Sequence, residues 1–228
     1  MKHASGSSAT CAFTGSAADF FPERLSLPQL REASKDCHGC DLYCNATQTV
    51  FGEGARDAFV MFVGEQPGDA EDLAGHPFVG PAGRFLDTVL DDVGIDRKHD
   101  VYVTNAVKHF KFEQRGKRRL HSKPSARQVA ACRPWLEAEI KVVKPRIIVC
   151  LGATAAQSLL GSSFRLTKHM GEIMSDQPWA PWMMATYHPS ALLRMPDEAA
   201  RHAAKEQFAD DLKKVAKQIE REKKAVVA

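Results

Sequence analysis

The chain has no apolar run long enough to span a bilayer, no internal repeat, no convincing linker and no large excess of either charge. Its start carries no apolar segment of the kind that directs secretion, since Lys2-His3-Ala4-Ser5-Gly6-Ser7-Ser8 is small and polar. These absences argue against a membrane protein, a repeat array and a secreted disulfide scaffold, and a cytoplasmic location is the expectation. Six cysteines spread over 228 residues without a signal peptide read as reduced thiols or metal ligands. A net charge of +3 permits nucleic acid as a partner without demanding it, so local clustering must decide. With 44% hydrophobic and 26% charged residues, the chain is long enough for one domain with a real core. Lacking an apolar stripe at the surface, it is expected to be a monomer.

Residues 1–25 are rich in Ser, Ala, Gly and Thr and read as a flexible N-terminal segment ahead of a single domain over 26–228. A short helix is expected from Leu27 to Ala33. Four apolar runs then read as buried strands: Ala58–Val63, Val101–Asn105, Ile147–Gly152 and Met183–Tyr187. Between them, helical spacing predicts a helix from Gly80 onward through Phe85, Leu86, Val89 and Leu90, and one from Pro124 or Ser125 to Val143. A third runs from Ala153 to Leu160, and Phe164–Met174 reads as an irregular strand or hairpin. A charged amphipathic tail helix from Pro196 to about Ala225 turns Phe208, Leu212, Val215 and Ile219 inward. This alternation predicts an α/β fold with three α/β/α layers around a mostly parallel, four-stranded sheet.

In such a fold, ligands sit outside the carboxyl ends of the strands. Three of the four strands end in polar tips. Val101-Tyr102-Val103-Thr104 ends in Asn105, an amide suited to reading a planar polar ligand. Ala58–Val63 ends in Gly64-Glu65-Gln66-Pro67-Gly68-Asp69, whose carboxylate can orient a nucleophile or stabilise a cation. The last strand runs into His188-Pro189-Ser190. One strand-end histidine is more often structural than catalytic, but two polar tips facing one crevice shift that balance to about even. Phe78 is either core or a platform for a base held near Asn105. After Asn105 comes a basic loop, Arg115-Gly116-Lys117-Arg118-Arg119-Leu120-His121. Its four cations and one imidazole suit a polyanion plus one chemical group. Taken alone it is a solvated charged loop.

Cys37-x-x-Cys40 is a metal half-site or redox pair, and its position ahead of the first strand argues against the redox order. Cys132, on the long helix, is the natural third ligand. The fourth lies among Cys150, Cys44 and His109. Cys150 sits in a strand buried on both faces and Cys44 is oddly spaced, so Cys37, Cys40, His109 and Cys132 form the favoured set. Donor chemistry alone does not separate zinc from an iron–sulfur cluster.

Together these segments resemble the uracil-DNA glycosylase superfamily, in its iron–sulfur branch, over about residues 35–215. Gly64-Glu65-Gln66-Pro67-Gly68 resembles the family's first motif and Val103-Thr104-Asn105 its uracil-reading strand. His188-Pro189-Ser190-Ala191-Leu192-Leu193-Arg194 resembles its last motif, and Cys37-x-x-Cys40 with Val50-Phe51-Gly52-Glu53-Gly54 its cluster segment. Ordinary family 4 enzymes usually carry a cysteine where this chain has His109, and they lack Lys117-Arg118-Arg119-Leu120-His121. Both departures, with Gln66, resemble the UdgX group, whose loop histidine becomes covalently joined to DNA.

The resemblance implies a [4Fe-4S] cluster, uracil-containing DNA as substrate with single strands accepted, and named roles. Asn105, Phe78, Gly64, Asp69 and Gln66 would bind uracil, and His121, Glu65, His188 and Gln66 would do the chemistry. Lys117, Arg118, Arg119, Ser190, Leu192, Leu193 and Arg194 would meet DNA, the leucines or Arg194 filling the gap left by the flipped base. The rivals are a multiple-turnover glycosylase and a non-catalytic zinc-stapled nucleic-acid-binding module.

Overall fold

The computed structural model describes residues 11–227. In chain order the elements are α1 (Leu27–Ser34), β1 (Glu53–Gly54), β2 (Val60–Gly64), α2 (Asp69–Ala74), α3 (Pro81–Asp92) and β3 (Val101–Asn105). They continue with β4 (Phe112–Arg115), β5 (Arg118–His121), α4 (Ala126–Val143), β6 (Ile147–Leu151) and α5 (Ala153–Leu160). Last come α6 (Leu166–His169), β7 (Met174–Ser175), β8 (Trp182–Thr186), α7 (Pro189–Leu193) and α8 (Glu198–Val227).

The sheet has the order β1-β3-β2-β6-β8-β7. Its middle four strands, β3, β2, β6 and β8, are mutually parallel. The two-residue edge strands β1 and β7 are antiparallel to their neighbours. The expected four-stranded parallel sheet is therefore corrected to a mixed sheet of six. Pieces of two residues are too short to leave a periodic signal.

Alternation along each buried strand feeds two apolar layers. Met61, Val63, Tyr102, Ile148, Cys150 and Met183 face α1, α4 and α5. Val60, Phe62, Val101, Val103, Val149 and Met184 face α3 and α8, where Phe208, Leu212, Val215 and Ile219 of α8 are buried as expected. Helices on both faces explain why these strands read as continuous apolar runs. Ser125 caps α4: its side chain accepts from Gln128 N–H, and the Gln128 side chain reciprocates at the Ser125 N–H.

Two readings change. Phe164–Met174 holds the short helix α6 and leads into β7, rather than a hairpin of its own. The flexible stretch expected over 1–25 also shrinks, its first ten residues lying outside those described. Thr14 and Gly15 N–H groups donate to His38 and Gly39 carbonyls, Ala17 is buried, and Ala17–Phe20 forms a 3-10 turn. Low hydrophobicity hid this, because the segment is held by backbone bonds.

Chain order reverses around β2, since β3 lies on one side and β6 on the other. That switch point opens a crevice between the carboxyl ends of β2 and β6, the place where this architecture binds ligands.

Candidate active site

The crevice is a cleft of about 550 Å³. Asn105 at the end of β3 lines it, paired in register with Gly64, the last residue of β2. A Cβ on Gly64 would lie 2.3 Å from Asn105 Oδ1, 2.9 Å from Phe78 Cζ and 3.4 Å from His188 Nε2. Three groups chosen from separate segments thus converge on one point, and only a residue without a side chain leaves them room. Asn105 is buried. Phe78 sits in the left-handed backbone region at φ 57°, an uncommon conformation for a bulky residue, with its ring stacked on His188 at 6.4 Å. The buried Glu71 fixes that loop, its carboxylate accepting from Gly80 N–H at 2.7 Å and Gly68 N–H at 3.1 Å.

His188 has a defined tautomer. Its Nδ1 accepts the Ser190 N–H at 3.1 Å, which leaves the ring proton on Nε2, the atom facing Gly64. Burial lowers its pKa to about 4, the Glu65 charge opposing but not cancelling this. At neutral pH, His188 is a neutral N–H donor aimed into the cleft.

The basic loop is a β-hairpin. β4 and β5 pair with Arg115 opposite Arg118, and Gly116 takes φ 58° at the first central position of a two-residue turn. Three clasps hold it. Gln66 joins its two ends, with Oε1 accepting from Lys111 N–H at 3.1 Å and Nε2 donating to the Lys111 and Ser122 carbonyls at 3.1 Å. Arg119 donates to Asp69 at 2.5 Å and to fully buried Asp72 at 2.6 Å, while lying over the Phe110 and Phe112 rings. His121, at the end of β5, sets its Nε2 3.1 Å from Glu65 Oε1. The other Glu65 oxygen accepts a short hydrogen bond from the Thr154 hydroxyl, in the first turn of α5. Burial would raise the Glu65 pKa, but the hydrogen bonds from His121 and Thr154 outweigh it, so its carboxyl stays below the usual range.

Several expected roles change with this geometry. Arg119 is paired with the two aspartates and so anchors the hairpin, and Asp69, its partner, lines the cleft beside it. The Gln66 side chain is spent on the hairpin, leaving only its backbone to the cleft. Leu192 is fully buried and cannot fill a gap in a strand. Leu193, 38% exposed, and Arg194 remain at the surface, with Arg194 and Ser190 on the cleft lining. Lys117 and Arg118 are exposed at the hairpin tip.

Behind Asn105 lies a network that the sequence reading missed. Lys108, fully buried, donates to Glu139 at 2.5 Å, to Thr104 Oγ1 at 2.6 Å and to the Asn105 carbonyl at 2.8 Å. Glu139 also accepts from Gly52 N–H and Tyr102 OH. A lysine next to a candidate metal ligand gave no sign of being an interior charge.

Cys37, Cys40 and Cys132 are buried together, close enough that each sulfur's charge disfavours ionisation of the next. Burial pushes the Cys40 thiol up to about 11 and that of Cys132 to about 12. The sulfurs already accept N–H bonds, Cys37 from Trp135 Nε1 and Cys132 from Lys108 N, each at 3.2 Å. Soft buried sulfurs with N–H donors fit an iron–sulfur cluster, whose charge would deprotonate them. Among the described residues no group of three or more His, Cys, Asp or Glu is arranged to hold a metal ion. His109 is buried at the end of the β3 segment, where burial lowers it to about 4. Cys150 is core. Cys44 forms a disulfide with Cys11, so the expectation of reduced thiols or metal ligands is corrected at these two cysteines. No helix among the described residues is long and apolar enough to cross a membrane.

A strand-end amide, a neutral imidazole donor and an aromatic platform around a bare glycine define a base-binding α/β cleft. The uracil DNA glycosylase superfamily profile matches residues 51–213, and the chain belongs to that superfamily. A type-4 uracil-DNA glycosylase of Thermotoga maritima is 40% identical over 164 residues, which cover 72% of this chain and 81% of that protein. One of Archaeoglobus fulgidus is 34% identical over 196 residues, 83% of this chain and 92% of the relative. A type-5 uracil-DNA glycosylase of Pyrobaculum aerophilum is 35% identical over 156 residues, 61% and 64% of the two chains.

Proposed function

We propose that this chain is a uracil-DNA glycosylase of the UdgX group, which excises uracil from DNA and then bonds to the abasic sugar through His121. The observation carrying the covalent step is the His121 Nε2–Glu65 Oε1 contact of 3.1 Å inside the cleft that Asn105 and His188 also line. Relatives named as type-4 uracil-DNA glycosylases support the excision step.

Uracil flips from its strand at a cost of a few kcal/mol and stacks on Phe78. Asn105 Oδ1 accepts from N3–H while its amide N–H donates to O4, and cytosine presents the wrong polarity at both atoms. As the C1′–N1 bond breaks, the electron pair leaves with uracil, and the His188 Nε2–H, with backbone N–H groups near Gln66, stabilises charge gathering on O2. The sugar becomes oxocarbenium-like. A lone pair of neutral His121 forms a bond to C1′, and Glu65 takes the proton that the resulting imidazolium sheds. Lys117 and Arg118 meet phosphates, and Leu193 with Arg194 occupies the vacated stack.

Cys37, Cys40, His109 and Cys132 would hold the [4Fe-4S] cluster. When bound it supplies structure, tying the N-terminal segment to the β3 end and α4. Broad visible absorbance of the purified protein, lost on Cys132→Ser, tests it. The protein acts as a cytoplasmic monomer that accepts single-stranded DNA.

The second reading, a multiple-turnover hydrolytic glycosylase, is favoured by the 40% identity to a type-4 enzyme. One gel separates the two. Incubated with a uracil-bearing oligonucleotide and denatured, the protein should run as a heat-stable conjugate. His121→Ser should open room for water and release an abasic product instead. A conjugate surviving in that variant refutes the role given to His121.

A further inference from the structure

We infer that Thr154 is the positioning residue that decides whether the excised sugar is captured or hydrolysed. The inference rests on the covalent reading above. Glu65 has two carboxylate oxygens with different work: Oε1 holds His121 at 3.1 Å, and Oε2 accepts the Thr154 hydroxyl. A carboxylate held at one oxygen only turns freely about its last torsion. Held at both, it presents a fixed acceptor to the imidazole.

The anchoring element is well chosen. Thr154 lies in the first turn of α5, directly after β6, and Glu65 directly after β2. The two strands are hydrogen-bonded neighbours, so the Thr154–Glu65 bond spans the switch point of the sheet. His121 arrives from a different direction, on a hairpin outside that sheet and with 41% of its side chain exposed. The sheet side of the site therefore holds the hairpin side through Glu65, and Thr154 sets where Glu65 stands. Thr154 is itself buried and lines the cleft. Nothing in uracil reading by Asn105, Phe78 and His188 calls on it.

At the branch point, the C1′ cation takes either the His121 lone pair, forming a C1′–N bond, or water, forming a C1′–O bond. Each route sheds one proton. Disordering Glu65 weakens the first route and leaves water in place for the second.

The test measures, in the same quenched samples, heat-stable conjugate and free abasic oligonucleotide per uracil excised. Thr154→Val keeps the shape and removes the donor, while Thr154→Ser keeps the donor and removes a methyl. The ratio of conjugate to abasic product should fall about tenfold or more in Thr154→Val and return to the wild-type value in Thr154→Ser. Thr154→Ala, checked by its Tm, gives the same fall should the valine variant fold poorly. A wild-type ratio in both Thr154→Val and Thr154→Ala, or a loss confined to Thr154→Ser, overturns the inference, because packing would then explain the residue. A wild-type protein that excises uracil but forms no conjugate sinks the covalent reading itself, a result distinguishable from an unchanged ratio in the variants.

Discussion

Replacing Gly64 with alanine adds a single methyl at the point where Asn105, Phe78 and His188, the proposed uracil-reading groups, meet. That methyl would stand 2.3 Å from Asn105 Oδ1 and 2.9 Å from Phe78 Cζ. Ordinary contact needs more than an ångström beyond the first distance, so the amide must retreat by about 1 Å. Hydrogen bonds to a bound uracil tolerate only 2.7–3.2 Å between heavy atoms, and a 1 Å misplacement of a positioning group costs on the order of 100-fold in rate. The methyl also takes space from the base itself. Overpacking in a buried site costs about 1–3 kcal/mol of stability, which a chain of this length survives. The measurement is single-turnover uracil release from a single-stranded oligonucleotide, with Tm and visible absorbance recorded on the same preparation. Release should fall about 100-fold while both folding signals persist. A variant excising uracil within threefold of wild type, at unchanged Tm, would mean that the ligand does not sit over Gly64, and the site would have to be sought elsewhere in the cleft.

Three further outcomes follow from the same geometry. His188 has a folded pKa of about 4 against an ordinary 6.5, so below pH 6.5 the unfolded chain binds a proton that the folded chain refuses. Its contribution to stability is complete above pH 6.5 and falls by up to about 3 kcal/mol as pH drops to 4, a slope that His188→Gln should flatten in denaturant titrations at pH 4.5 and 7. Arg119→Ala leaves the buried Asp72 carboxylate with Thr47 alone among its side-chain partners and unclasps the hairpin. It should cost about 1–3 kcal/mol in Tm-derived stability and lower conjugate formation more than uracil release. Lys108→Met strands the Glu139 charge in the interior and should cost about 3–5 kcal/mol by chemical denaturation, whereas Lys108→Met with Glu139→Gln costs less than the sum of the single changes.

What could be read in the sequence tracks with what was periodic. The four parallel strands and the long helices were legible because continuous burial or a 3.6-residue repeat marks them. The edge strands β1 and β7 were not, being two residues each. The hairpin carried a turn signal in Gly116-Lys117, but its flanks, Phe112-Glu113-Gln114 and Arg118-Arg119-Leu120, lack the alternation that usually announces paired strands, because neither face is covered. Among site residues, those at strand tips were found by position. Thr154 and Glu71 were not, since a threonine or glutamate in a helical first turn is ordinary and its meaning depends on what stands opposite. Charge was hard to place: Arg119 looked like a DNA contact and Lys108 drew no reading, yet the first is clasped by two aspartates and the second is fully buried. Sequence reports that a cation is present; only the fold reports what already neutralises it.

That distinction bears on how the two halves of the chemistry are held. Asn105, Gly64 and His188 stand on three parallel strands or the turns leaving them, so excision as proposed depends on the sheet. His121 stands on a two-stranded hairpin outside it, held at the cleft by the Gln66 bridge, the Arg119 clasp and the Glu65 contact. A glycosylase needs the first set alone. On the proposed mechanism the clasps hold the open end of the hairpin, where His121 stands opposite Phe112, at a defined place beside C1′, whereas a loop that merely attracted phosphate would gain nothing from setting Arg119 against the buried Asp72. Weakening any one clasp should therefore lower capture relative to excision, while weakening the sheet at Gly64 lowers both together. Observing the two responses in one set of variants would separate the mechanism of base removal from that of strand capture.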